Sequence, residues 1–155
     1  MQSLLSPPSL TVGLLSAVAL ITVAFLLILR TLQRGLRQKL TEQLNPGETL
    51  LAEDSRANFF GLESLGGWQL RGNGLLALTD QALVFRMLLP GRTFRIPLSD
   101  ITSTELVHSH CGKSVSRHLL KVNFRIRGLT DAMAWFIPEP AHWKGILDTE
   151  LTRRR

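Results

Sequence analysis

Residue types that bind metals occur together once in this 155-residue sequence, at His108-Ser109-His110-Cys111, and His118 follows a short distance later. On a β-strand, His108 and His110 would share one face while Cys111 pointed to the other. A shared metal site would need a bulge or turn at Cys111, and His118 could add a ligand from the next strand. The sequence contains one Cys and no Cys-x-x-Cys spacing, so we interpret these histidines as structural or exposed and predict no metal.

Signatures of catalysis are missing from the sequence. It has no glycine-rich phosphate loop, no nucleophile elbow and no acid/base pair at a workable spacing. The carboxylates are scattered over predicted turns and surface positions. We therefore expect a protein that is not an enzyme and needs no cofactor.

The longest apolar segment of the sequence is Leu10–Leu29, which contains no charged residue. As a helix it would span about 30 Å, the thickness of the hydrocarbon core of a bilayer. This predicts a transmembrane helix over residues 10–29. The alternatives are a buried helix of a soluble core and a cleaved signal peptide. A signal peptide would have a basic region before it, and Met1–Ser9 has neither Lys nor Arg.

Basic residues follow the apolar segment directly, at Arg30, Arg34, Arg37 and Lys39. Because basic residues are retained on the cytoplasmic side, residues 1–9 are predicted to be a short extracytoplasmic N-terminus and the rest of the chain to be cytosolic. The same four side chains could also contact anionic lipid, gaining about 1 kcal/mol each. The topology rule alone also explains them, so both interpretations stay open.

Residues 30–46 are predicted to form a juxtamembrane basic helix and linker. Leu32, Leu36, Leu40 and Leu44 recur four apart, which places them on one side of a helix that ends at Asn45-Pro46-Gly47. The leucine stripe is compatible with pairing between copies, which would make a homo-oligomer. It is equally compatible with packing on the domain that follows.

The basic excess of the sequence lies outside its predicted folded domain. The chain has 18 Lys and Arg against 12 Asp and Glu, but residues 45–152 contain 11 of each. The excess comes from the segment after the apolar helix and from the basic tail at residues 153–155. A nucleic-acid-binding domain would normally show a basic face of its own, so we predict no nucleic-acid partner.

From Gly47 onward the apolar pattern alternates, which is typical of β-strands separated by short turns. A closing helix starts near Pro140, with Trp143, Ile146, Leu147 and Leu151 on one face. We predict a mainly β fold, a barrel or sandwich of about seven antiparallel strands capped by a C-terminal helix and preceded by one transmembrane helix. The predicted strand segments are 48–52, 57–61, 74–79, 82–88, 92–98, 101–108, 119–127 and 133–137.

Two motifs in this region carry a family resemblance. The hairpin sequence GLLALTDQALVF at residues 74–85, followed by IPLSDI at residues 96–101, resembles the signature of GRAM and bacterial PH-like domains. The leading Gly47-Glu48 and the Trp143-bearing helix are also similar. The resemblance covers residues 45–152, and it implies a PH-like barrel over residues 47–152 that acts as a membrane-surface or protein-binding module.

Phosphoinositide recognition in this class uses Lys and Arg near the first strand pair. Here Glu53, Asp54 and Glu63 offset Arg56 and Arg71 in that region. We therefore predict no phosphoinositide binding.

A different loop, Arg86–Arg95, combines apolar residues with cations. Its turn contains three consecutive apolar residues, and basic residues flank them: Arg86, Met87, Leu88, Leu89, Arg92 and Arg95. Such a tip could enter the bilayer surface with its arginines on lipid phosphates. The alternative is that the apolar side chains belong to the core and the arginines are solvated.

The sequence thus predicts a membrane-tethered, non-catalytic PH-like binding module. Because an anchor already localises the chain, we expect the domain to organise a protein partner or assembly at the cytosolic membrane face. The alternative is a reader of the lipid surface that uses the Arg86–Arg95 loop and the cations after the apolar helix, with anionic lipid as its ligand.

Overall fold

The structure is a computed structural model that describes residues 7–42 and 44–154. It contains helix α1, seven β-strands and helix α2, and short 3-10 helices lie at Glu63–Leu65 and Leu98–Asp100. The predicted mainly β fold with a helix at each end is confirmed. The elements are α1 (Pro7–Thr41), β1 (Leu50–Leu62), β2 (Gly72–Thr79), β3 (Ala82–Met87), β4 (Thr93–Pro97), β5 (Ile101–His110), β6 (Lys113–Ile126), β7 (Leu129–Phe136) and α2 (Pro140–Thr152).

All strand pairs are antiparallel, and the strand order is β4-β3-β2-β1-β7-β6-β5. Strand β1 joins the two halves of the sheet, because its first part pairs with β2 and its last part pairs with β7. The register shifts between Asp54 and Ala57 and again between Phe59 and Gly61. Such irregularities bend a strand. The predicted segments 48–52 and 57–61 are therefore one long strand.

The core lies between the two halves of the sheet and α2. Leu76, Leu78, Leu83 and Phe85 alternate into it, as predicted. The glycine that opens the hairpin motif is also explained, since a Cβ on Gly74 would lie 2.2 Å from the carbonyl oxygen of Arg86. Strand β2 can approach β3 this closely only without a side chain.

Helix α2 begins at Pro140, as predicted, and closes one side of the core. Trp143, Leu147 and Leu151 are buried, and Ile146 packs against them. The helix contacts β5 and β6. This stripe confirms the predicted apolar face.

The β5–β6 hairpin is longer than predicted, because β6 begins at Lys113 and not near Leu119. Its register shifts between Val107 and Ser109, so the end of the hairpin leaves the plane of the sheet. It folds over the outer face of β1 and β7. There Val107, Val115 and Leu119 of the hairpin pack with Phe60 of β1 and Ala134 of β7 in a small apolar cluster. The first residues of β6 are mostly polar. They show no alternation of apolar residues, and for this reason the sequence did not predict that the strand begins at Lys113.

Helix α1 is long and apolar enough to cross a membrane over Thr11–Ile28. Every side chain in that span is exposed, so it is not a core helix of the β domain. Residues 1–6 of the predicted extracytoplasmic N-terminus and Arg155 of the basic tail lie outside the described residues.

The C-terminal part of α1 packs on the β domain. Leu40 is 1 % exposed and lies against Leu75, Ala77, Ala82 and Val84 on the outer face of β2 and β3. Of the two interpretations of the leucine stripe, the structure shows packing on the domain for Leu40. The side chains of Leu32 and Leu36 lie outside the described part of the chain.

Candidate binding surfaces

Three connections of the barrel lie at one end: residues 63–71, 88–92 and 127–128. We call these connections, with the adjoining strand ends Ile126 and Leu129, the loop end. Neighbouring antiparallel strands run in opposite directions, so the β1–β2, β3–β4 and β6–β7 connections leave the sheet together. Hydrogen bonds join them to adjacent strands. Leu88 N donates to Asn73 O at 2.8 Å, and Ser64 N donates to Asp131 Oδ1 at 3.0 Å.

The loop end exposes large apolar side chains. Trp68 is fully exposed, and the leucines that accompany it are 61–88 % exposed: Leu65, Leu70, Leu89 and Leu129. Exposed cations adjoin them at Arg92, Arg125 and Arg127. A cluster of exposed apolar side chains with a polar rim is typical of a surface that binds a membrane or another protein.

The three apolar residues at the predicted tip of the Arg86–Arg95 loop differ in their exposure. Met87 is 5 % exposed and belongs to the core, and Leu88 is half-buried beside the Leu40 cluster. Only Leu89 projects from the three apolar residues. Lipid contact by this loop remains a prediction, and it now depends on Leu89 with the other residues of the loop end.

The three arginines of the same loop also differ in their contacts. Arg92 is exposed, whereas Arg86 Nη1 donates to Thr93 Oγ1 at 3.0 Å. Arg95 Nη2 donates to both carboxylate oxygens of Glu48 at 2.9 Å. Two of the three arginines that flank the apolar residues of this loop, Arg86 and Arg95, therefore make contacts within the domain.

Glu48 is the centre of a hydrogen-bond cluster where the chain enters the barrel. Its buried carboxylate accepts bonds from Thr79 Oγ1, from Asn45 N at 2.8 Å and from Arg95. Burial by itself would raise the pKa of Glu48, but these hydrogen bonds and the charge of Arg95 outweigh it and lower the pKa. Glu48 of the leading Gly-Glu and Thr79 of the hairpin motif thus contact each other, and this contact joins the start of the domain to β2.

The cations that follow the apolar segment lie beside the outer face of β1 and β2. Arg37 forms an ion pair with Glu53. Arg30 and Arg34 line a cleft of about 400 Å³ together with Ser55 and other residues of that face. The side chain of Lys39 lies outside the described residues. Lipid contact by these cations is still a prediction.

A larger groove, which we call the arginine groove, lies further along the outer face of β1 and β2. It encloses about 680 Å³ between these strands and the start of β6. Its basic residues are Arg56, Arg71 and Arg117. Sequence reasoning missed this site, since Arg117 reaches it only because the β5–β6 hairpin folds over the sheet, and no pattern in the sequence indicates that fold.

The acidic residues that were predicted to oppose anion binding make contacts of their own. Glu53 pairs with Arg37, and Glu63 pairs with Lys121 at 3.3 Å. Asp54 Oδ1 accepts from Arg56 N at 2.7 Å and lies 3.4 Å from Arg56 Nε. None of these carboxylates lines the arginine groove.

The His/Cys cluster is dispersed in the structure. The rings of His108 and His118 are 4.2 Å apart at the surface. His110 is buried with Nε2 3.1 Å from Gly61 O, and burial lowers its pKa. Cys111 lies in the hairpin turn, where burial and the nearby Glu63 raise its pKa. Within residues 7–42 and 44–154, no three His, Cys, Asp or Glu side chains come together in a way that could hold a metal.

Comparison with known proteins identifies the fold. No protein-family model matches the sequence, and no curated protein is similar to it in sequence. Among solved structures, the N-terminal PH domain of Vps36 has a TM-score of 0.52 at 14 % identity, with 71 % of this chain and 83 % of that one covered. The hSac2 domain from the human phosphoinositide phosphatase Sac2 has a TM-score of 0.51 at 14 % identity, with 83 % of each chain covered.

A third similar structure is the C-terminal domain of an unknown protein from Leishmania infantum. Its TM-score is 0.55 at 18 % identity, over 77 % of this chain and 97 % of that one. At these identities the similarities establish the fold alone. The domain of this protein has a PH-like fold, as the sequence motifs predicted.

Proposed function

We propose that this chain is a single-pass membrane protein whose GRAM-like or bacterial PH-like barrel is a non-catalytic binding module held against the bilayer surface. The observation that carries this proposal is the direction of α1 relative to the loop end. Asn45 follows α1 and contacts Gln81 at the β2–β3 turn, which lies opposite the loop end. Going back along α1, Arg37, Arg34 and Arg30 lie beside Glu53 and Ser55, which are further towards the loop end.

The apolar segment of α1 therefore leads away from the barrel on the same side as Trp68, Leu89 and Leu129. A bilayer that contains this segment would meet these side chains at its surface. Burying one large apolar side chain contributes about 1.5–3 kcal/mol, and arginines beside it can contact lipid phosphates. The loop end would then lie on the membrane without any lipid-specific pocket.

A non-catalytic role agrees with the contacts of the groups whose pKa is shifted. Glu48 and Asp148 accept hydrogen bonds from Thr79 and Thr104, and both have a lowered pKa. His110 is buried against Gly61 O. Each of these groups makes a contact that holds two parts of the fold together.

Trp68 offers a direct test, because Trp135 and Trp143 are buried. The full-length chain is reconstituted in lipid nanodiscs that contain phospholipids brominated on the acyl chain. We expect the fluorescence of Trp68 to be quenched, since bromine quenches an indole only at short range. Trp68→Phe should remove the quenched component, and Leu89→Asp with Leu129→Asp should reduce it by opposing insertion. Leu51→Asp, at a half-exposed leucine near the other end of β1, is the matched control.

Emission from Trp68 that is unaffected by brominated lipid would contradict the proposed membrane contact. Equal loss of quenching in Leu51→Asp would also count against it, because the effect would then not belong to the loop end. Near-ultraviolet circular dichroism of each variant shows whether the barrel remains folded.

The second candidate function is the organisation of a protein partner at the membrane. The arginine groove favours it, because its lining lies mostly on the outer face of the sheet and at the start of β6, and only Arg71 belongs to the loop end. It would stay accessible from water when the loop end lies on lipid.

A further inference from the structure

We propose that the arginine groove binds an acidic, extended peptide segment of a partner protein. The inference deepens the second candidate function and rests on the chain being a binding module. The charge, the hydrogen-bonding groups and the apolar floor of the groove support it.

The groove carries a net positive charge, although Arg56 pairs with Asp54 beside it. Arg71 and Arg117 have no acidic partner among the described residues, and no carboxylate is part of the lining. The guanidinium of Arg71 lies over the ring of Phe60 at 4.1 Å, which holds its position without cancelling its charge. Guanidinium groups bind carboxylates through paired hydrogen bonds, so acidic side chains complement this surface.

The hydrogen-bonding groups of the groove suit a peptide backbone. Asn58 Nδ2 donates to Asn73 Oδ1 at 2.6 Å across β1 and β2. This bond leaves Asn58 Oδ1 able to accept and the Nδ2 group of Asn73 able to donate. A peptide group offers one donor and one acceptor, whereas a phosphate offers acceptors only. The asparagine pair therefore favours a peptide group over a phosphate group.

The floor and one wall of the groove are apolar and held in place. Phe60, Phe136 and Val115 give it apolar surface between the arginines. Lys113 Nζ ties the β5–β6 hairpin to β1 and to the loop that follows it, since it donates to Phe60 O at 3.3 Å and to Gln69 O at 2.6 Å. The groove is thus formed before a ligand arrives, and it alternates charge and apolar surface as an acidic segment with an apolar side chain would require.

The test selects ligands from a random-peptide phage library with the full-length chain in detergent micelles. We expect the selected peptides to be enriched in Asp and Glu around an aliphatic or aromatic residue. Synthetic selected peptides are then measured by fluorescence anisotropy. Arg71→Gln and Arg117→Ala should each weaken binding by about tenfold, the loss of one charge-assisted contact. Arg154→Ala, at an exposed arginine after α2, removes the same charge and should bind like the wild type.

Peptides without acidic enrichment would overturn the proposal, and so would groove variants that bind like the wild type. Arg117 is exposed on the hairpin, so Arg117→Ala reports on the groove even if Arg71→Gln unfolds the chain. The quenching of Trp68 is measured on the same variants. If the groove variants reduce that quenching and no acidic peptide is selected, the groove is a lipid site and the proposal is wrong. If the groove variants leave the quenching of Trp68 unchanged, the membrane contact is intact. Loss of peptide binding can then be assigned to the groove alone.

Discussion

At the scale of single residues, Glu48 shows how one carboxylate fixes the entry to the barrel. Thr79, the backbone of Asn45 and Arg95 come from three separate parts of the chain, and all bind this side chain. Charge-assisted hydrogen bonds in a buried position are stronger than neutral ones. The ion pair with Arg95 requires an ionised carboxylate, so the contribution of Glu48 to stability must depend on pH.

We expect Glu48→Gln to lower the free energy of unfolding by about 1–3 kcal/mol at pH 7, because the charged partner of Arg95 is lost. The pKa of Glu48 is lower in the folded chain than its ordinary value of 4.5. Its stabilising contribution is therefore complete above that value and is lost as the pH falls through the folded pKa. Thermal unfolding of the full chain in detergent between pH 7 and pH 3 measures this.

The difference between Glu48→Gln and the wild type should shrink below pH 4.5 for this reason. Glu139→Gln, at an exposed carboxylate, is the control and should follow the wild type throughout. A difference that stays constant across the acid range would mean that ionisation of Glu48 does not stabilise the fold.

At the scale of elements, α1 is exposed along its apolar span and buried near its C-terminal end. Its span Thr11–Ile28 is exposed and apolar, whereas Leu40 near its end is buried on β2 and β3. Because Leu75, Ala77, Ala82 and Val84 are also buried there, both faces of the β2–β3 hairpin are apolar. The end of α1 is therefore part of the folded domain and orients the barrel relative to the apolar segment.

We predict that Leu40→Ala lowers the free energy of unfolding of the β domain by about 2–4 kcal/mol, the usual cost of a leucine-to-alanine cavity. Leu51→Ala, at a half-exposed leucine, should cost less than about 1 kcal/mol. Thermal unfolding of the full chain in detergent compares the two. Equal, small effects of both variants would show that α1 does not stabilise the β domain.

At the scale of the whole molecule, charge and hydrophobicity together set an orientation. The cations that follow the apolar segment are Arg30, Arg34, Arg37 and Lys39, and Met1–Ser9 has none. From these charges the positive-inside rule predicts that the β domain is cytosolic. The single Cys111 suits a reducing compartment.

The predicted topology can be tested by thiol labelling in intact cells with a membrane-impermeant maleimide, in a Cys111→Ser background. Ser3→Cys should be labelled directly, because residues 1–9 are predicted to be extracytoplasmic. Ser99→Cys, exposed on the β domain, should be labelled only after the cells are permeabilised. The reverse pattern would contradict the orientation, and loss of residue 3 from the mature chain would indicate a cleaved signal peptide.

Local patterns in the sequence were sufficient to predict the fold class. The alternation of Leu76, Leu78, Leu83 and Phe85 predicts which side chains of the hairpin point into the main core, and this depends only on the period of a strand. The start of α2 at Pro140 and the turn at Asp80-Gln81 follow from residues with strong local preferences. The apolar helix at the N-terminus needed nothing beyond length and composition.

The candidate binding surfaces could be predicted only in part. Leu89 was predicted to contact a partner or lipid because three consecutive apolar residues at a turn are conspicuous. The same pattern included Met87, which is buried in the core. Trp68 and Leu129 join Leu89 only because the strand order brings three connections to one end. The uninterrupted apolar residues at 74–78 and 82–85 were the one signal that both faces of that hairpin are covered.

The sequence by itself therefore determined what depends on neighbours along the chain: the apolar helix, the strands, the turns and the orientation of charge. The tertiary structure alone decided which distant residues meet: Glu48 with Arg95, Leu40 with Val84, and Arg117 with Arg71 in the arginine groove. The physical reason is that periodicity and propensity act over a few residues, whereas these pairs are brought together by register shifts and by the packing of one element on another.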